Sequence, residues 1–155
     1  MNARTIRRKR HGFSLIEVLF AIFISAVCAV ILASAMPAAN NSRGRADLNG
    51  RAASLAQKMI EAVRGLGYPN ATPTMLYNNG LLDSVTPIPG TTDTYSFTNV
   101  DSTKFDNPSR ILPQGEGRIT LENVDIDLRR VTVEVRWMAR GRQMSVRVGT
   151  LIANL

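Results

Sequence analysis

The chain has 155 residues, room for one domain and an additional segment but not for two full domains. Its formal charge of +7 is concentrated at one end: Arg4, Arg7, Arg8, Lys9 and Arg10 lie in the first twelve residues, and from Phe13 onward fourteen cations face twelve carboxylates. That near-balance removes the general argument for a nucleic-acid-binding protein. His11 is the sole histidine and Cys28 the sole cysteine. Beyond the basic segment the composition therefore excludes His-based metal sites, Ser/His or Cys/His catalysis and an internal disulfide. No phosphate loop or dinucleotide fingerprint occurs, so neither enzymatic activity nor a cofactor is expected.

The basic run Arg7-Arg8-Lys9-Arg10 leads through His11 and Gly12 into an apolar segment, Phe13 to Met36, in which Glu17 is the only charged residue. At about 1.5 Å per residue, a helix of that length crosses a hydrocarbon core of about 30 Å. The cations ahead of it orient such a span with its N-terminus in the cytoplasm. A carboxylate deep in a span costs about 2.5–3.5 kcal/mol, and less near the end, so Glu17 calls for a partner. Ser14-x-x-Glu17 supplies one local answer, a capping box that satisfies free N–H groups at the helix start. Ala33-Ser34-Ala35 offers a different outcome, cleavage of an ordinary secretory signal, although the apolar stretch before it exceeds the usual 7–15 residues and is interrupted by Glu17. A signal anchor that is never cut is the third.

Gly12, Phe13-Ser14-Leu15-Ile16-Glu17 and Val18-Leu19-Phe20-Ala21 resemble the start of the type IV prepilins, the N-methylphenylalanine family that includes the pseudopilins of type II secretion. The resemblance implies cleavage between Gly12 and Phe13 by a prepilin peptidase and methylation of the new Phe13 amine. It also implies that Glu17 forms a salt bridge with the Phe13 amine of a neighbouring subunit during filament assembly. Major pilins of the family often close a C-terminal loop with a disulfide. This chain lacks one there, which favours a minor pilin or pseudopilin.

Pro37 is expected to end or kink the first helix, with 38–45 as the membrane exit and Gly44 as a weak point. Helical spacing resumes with Leu48, Ala52, Leu55, Ala56, Met59, Ile60 and Val63 on one face. Gly65-Leu66-Gly67-Tyr68-Pro69 stops it, leaving a long, bent helix from Ser14 to Arg64. The stretch 52–64 also resembles V-type minor pilins and I-type minor pseudopilins, which read Ala-x-x-x-Ala-x-x-x-Ile/Leu-Glu-x-x-Arg there.

From Asn70 to Gly117 the chain is rich in Pro, Thr, Asn, Asp and Gly and reads as loops, with one short strand at Thr94–Thr98. Asp83, Asp93, Asp101 and Asp106 do not have the spacing of a calcium loop, and no metal site is expected. A sheet follows over 118–152. Ile119, Leu121 and Val124 open it; Val131, Val133, Val135 and Trp137 share one face, and Thr132, Glu134 and Arg136 the other. Ala139-Arg140-Gly141-Arg142 turns the chain, and Met144, Val146 and Val148 alternate on the return. The apolar face suits packing on the helix around Leu48 to Val63, with Trp137 as a core anchor.

The expected fold is α+β and pilin-like: a long bent N-terminal helix, transmembrane in its first half, on a small C-terminal antiparallel sheet. Residues 1–12 form the leader, 13–36 the membrane and assembly helix, and 37–155 a periplasmic domain with its helix at 46–64. The leading functional expectation is a minor pilin that enters or primes a type IV pilus, its partners being the prepilin peptidase, other pilins or pseudopilins and the bacterial inner membrane. A minor pseudopilin of type II secretion is the alternative. A third reading, a competence-type pilin that captures nucleic acid, rests on a basic patch of Arg136, Arg140, Arg142 and Arg147. The plain counter-reading of those arginines is a solvated edge that blocks strand pairing.

Overall fold

The computed structural model describes residues 14–101, 103 and 105–154. The chain divides into two units, one ending at Arg43 and one running from Gly44 to Leu155. Helix α1, Leu15–Asn70, contributes to both. In the first unit the helix is apolar, and every side chain from Ser14 to Ser34 is exposed. Of the two outcomes expected at Pro37, an end or a kink, the helix does not end there, nor at Gly44, and one long helix runs through both as expected. Proline removes one backbone bond, but alanine, the strongest helix former, recurs on both sides of it at 33, 35, 38 and 39.

The interruption falls at Gly67, whose φ of 75° and ψ of 169° are non-helical, inside the expected stop. Only glycine adopts that conformation without strain. A last turn over Tyr68–Asn70 is followed by Ala71, whose N–H donates to the Gly67 carbonyl at 3.0 Å.

In the second unit α1 buries the face predicted from its spacing. Ala52, Leu55, Ala56, Met59, Ile60 and Val63 form one core with Ile119, Leu121, Val131, Val133, Val135 and Trp137 of the sheet. Full burial of each Leu, Ile, Val or Met side chain contributes about 1.5–3 kcal/mol. The sheet has four antiparallel strands in the order β1-β2-β3-β4: Thr94–Ser96, Glu116–Asp125, Leu128–Ala139 and Arg142–Ala153. It is the α+β arrangement expected for a pilin-like chain.

β1 ends at Ser96, two residues earlier than expected, because Asp83 draws the chain out of the ladder. Its carboxylate accepts from Ser96 Oγ at 2.5 Å, the Thr98 N–H at 2.7 Å and the Asn99 N–H at 2.9 Å. The expected loop region also contains two short helices, α2 (Pro73–Asn78) and α3 (Pro108–Ile111). Each opens on a capping residue followed by proline, Thr72-Pro73 and Asn107-Pro108, a start signal present in the sequence. In β2 the register shifts between Asn123 and Asp125, leaving Val124 on the surface rather than in the apolar face.

Candidate functional site

The first turn of α1 is closed by backbone bonds: the Ser14 carbonyl accepts from the N–H of Glu17 at 2.9 Å and of Val18 at 3.2 Å. Among the described residues, the Ser14 hydroxyl and the Glu17 carboxylate make no side-chain hydrogen bond, so the reciprocal capping box does not form. Glu17 is exposed on a helix whose stretch Leu15–Ser34 is long and apolar enough to cross a membrane. Gly12 and Phe13, the expected cleavage and methylation positions, lie outside the described residues, as does the leader.

Helical geometry places Glu17 on the same ridge as Ala21, Ser25, Ala29 and Ala33, each four residues apart. Cys28 lies beside Glu17 in projection, whereas Ala26 falls on the far side of the helix from it. Bulky residues flank the ridge on both sides: Phe20 and Ile24, three and seven positions after Glu17, on one, and Val18 and Ile22 on the other. All these side chains are exposed in the chain alone. In lipid, small residues permit close helix packing, whereas bulky ones fill the surface against acyl chains. The carboxylate therefore stands at the head of a narrow ridge of small residues bounded by bulky ones. The period-four run of small residues was legible in the sequence and was not among the expectations drawn from it.

The four arginines of the expected basic patch are not brought together. Arg136 and Arg147 lie on the outer face and flank Glu134, at 2.8 Å and 3.4 Å from its two oxygens. Arg140 occupies the turn with φ 54°. Arg142 pairs with Ala139 and so lies on the opposite face, in the alternation that includes Trp137 and Met144. Burial alone pushes the Glu134 carboxyl up. The hydrogen bonds and charges of Arg136 and Arg147 outweigh it and hold the carboxyl below its ordinary value. The pair of cations is thus already partly neutralised from within the fold, and the arrangement gives the nucleic-acid reading no support.

Of the scattered acidic residues, Asp83 is committed to the β1 corner and Asp106 to Lys58 Nζ at 2.5 Å. Among the described residues no group of three His, Cys, Asp or Glu side chains is placed to hold a metal ion.

The family model of the prokaryotic N-terminal methylation motif matches residues 7–33. The match takes in the basic run, Gly12-Phe13, Glu17 and the apolar helix as far as Ala33. It supports a type IV pilin-like or pseudopilin protein and, with the single apolar helix, is consistent with membrane anchoring. None of the curated proteins or solved structures compared with the chain matches it.

Proposed function

We propose that this protein is a minor pilin, a structural subunit rather than a catalyst. A prepilin peptidase cuts it between Gly12 and Phe13, the Phe13 amine is methylated, and the subunit enters or primes a type IV pilus. Before assembly, α1 holds it in the bacterial inner membrane with the basic leader in the cytoplasm and the unit from Gly44 onward in the periplasm. The observation that carries the reading is Glu17: a carboxylate with no side-chain partner among the described residues, at the head of a ridge of small residues on an apolar helix, inside the matched methylation motif.

An α-amine has a reference pKa of about 7.7–8.0 and is largely protonated at neutral pH. The Phe13 ammonium of a neighbouring subunit would therefore relieve the cost of the Glu17 carboxylate in an apolar helix bundle. A minor pseudopilin of type II secretion uses the same chemistry and differs in the filament joined; the absence of a disulfide in the exported part accords with either. Glu17→Val should leave the amount of protein in the membrane unchanged and strongly reduce its recovery in sheared filaments. Normal recovery of that variant would rule out assembly through this carboxylate.

A further inference from the structure

The two edges of the sheet are finished differently. β1 has only three residues, and its outward side is taken: the Asp83 N–H donates to the Ser96 carbonyl at 2.9 Å and the Ile88 N–H to the Thr94 carbonyl at 2.8 Å. β4, the opposite edge, runs twelve residues from Arg142 to Ala153. Its pairing with β3 shows no register shift from Ala139↔Arg142 to Leu128↔Ala153, and it contains no proline. Of the means of blunting an edge, β4 has no bulge, proline or covering loop among the described residues, only the charges of Arg142 and Arg147.

The turn fixes which backbone groups point away from the sheet. Arg140 and Gly141 both have positive φ, at 54° and 73°, so Ala139 and Arg142 close a two-residue hairpin as a hydrogen-bonded pair. Alternation then directs the N–H and C=O groups of Met144, Val146, Val148 and Thr150 at β3. It turns those of Gln143, Ser145, Arg147, Gly149 and Leu151 outward. Among the described residues no backbone partner meets that outward row.

The side chains flanking the row specify what would fit. On the core side, Met144 is 37% exposed and Val146 and Val148 are half-buried, an apolar margin left partly open. On the outer side stand Ser145, Arg147 and Gly149. β4 carries two arginines and no carboxylate. Arg147 shares Glu134 with Arg136, so two cations divide one anion, and its side chain stays 65% exposed.

The geometry points to β4 as a docking edge for an extended segment of a partner protein, in which apolar residues alternate with Asp or Glu. The segment joins the sheet as a fifth strand through the outward backbone groups from Gln143 to Leu151. Its apolar side chains extend the margin of Met144, Val146 and Val148, and a carboxylate lies beside Arg147. Charge selects this occupant over a second copy of the chain, whose own β4 would bring arginines toward arginines. The inference goes beyond assembly through α1 and does not depend on it.

The test uses the full-length protein in detergent micelles. The probe is a fluorescent synthetic peptide of alternating valine and glutamate, matched to β4 in length, with its valine–lysine counterpart. The glutamate peptide should bind saturably and slow amide exchange at Ser145, Arg147 and Gly149. The lysine peptide should bind about tenfold more weakly or worse. Ser145→Pro removes one outward N–H and no bond to β3, and should weaken binding about tenfold. Arg147→Glu should reverse the preference between peptides, and carries the test alone if the proline variant does not fold. Absence of saturable binding, equal binding of the two peptides, or indifference to both substitutions would overturn the proposal. So would self-association of the protein that Ser145→Pro abolishes, which would assign the edge to a second copy.

Discussion

The ring of Phe97 lies over Gly117, so close that a Cβ at Gly117 would stand 2.5 Å from two of its carbons. Phe97 is fully buried and meets Phe105 edge to face, with centroids 6.3 Å apart at 84°. The Gly117 carbonyl also accepts the Phe97 N–H at 3.0 Å, which holds ring and glycine in place. Gly117→Ala should therefore cost about 1–3 kcal/mol through overpacking. Gly65→Ala, in α1 with nothing near its added Cβ, should instead gain about 0.5–1 kcal/mol. Denaturant midpoints of the two variants should move in opposite directions; a shared direction would refute the packing argument.

Arg129 fastens the end of α1 to the sheet. Its guanidinium lies 5.0 Å from the centroid of the Tyr68 ring, donates to the Ala71 carbonyl, and donates through Nε to Asn123 Oδ1 at 2.9 Å. Tyr68 in turn donates its hydroxyl to the Ile126 carbonyl at 2.5 Å. A lysine keeps the charge but not the planar fork. Arg129→Lys and Arg129→Ala should both destabilise, the alanine by about 1–3 kcal/mol and the lysine by a large part of that. Full rescue by lysine would show that charge alone matters there.

Glu134 should make stability depend on acid. Its carboxyl in the folded state titrates below the ordinary glutamate value of 4.5. The unfolded chain consequently takes up a proton first as pH falls. The stabilisation is complete above that ordinary value and is lost as pH drops through the folded value. Glu134→Gln cannot lose this contribution, so its unfolding midpoint should change less between pH 7 and pH 3 than that of the parent. An identical acid limb in both proteins would show that Arg136 and Arg147 do not hold the carboxylate.

Legibility followed the physical signals. The period of two in Val131, Val133, Val135 and Trp137, and the helical spacing from Ala52 to Val63, located the core, because each pattern has one burial face. Gly67 lay within the expected stop. The single long helix through Pro37 was expected, but local sequence does not show whether a proline in an alanine-rich helix ends it or is absorbed. Helices α2 and α3 were missed although Thr72-Pro73 and Asn107-Pro108 announce them; at six and four residues they have no periodicity to detect. The arginines were grouped by proximity in sequence, yet the alternation of β4 sends Arg142 and Arg147 to opposite faces. That Arg147 stands opposite Glu134, beside Arg136, becomes visible only once the register is known.

Assembly through Glu17 requires a free, methylated Phe13 amine, and that is directly measurable. Intact mass and N-terminal sequencing should be carried out on the membrane-extracted protein and on a Gly12 variant with a bulky residue. The account predicts a parent chain beginning at N-methylated Phe13 and a Gly12 variant that keeps its leader. A parent chain that begins near Met36, or that retains residues 1–12 beside an active peptidase, would contradict it.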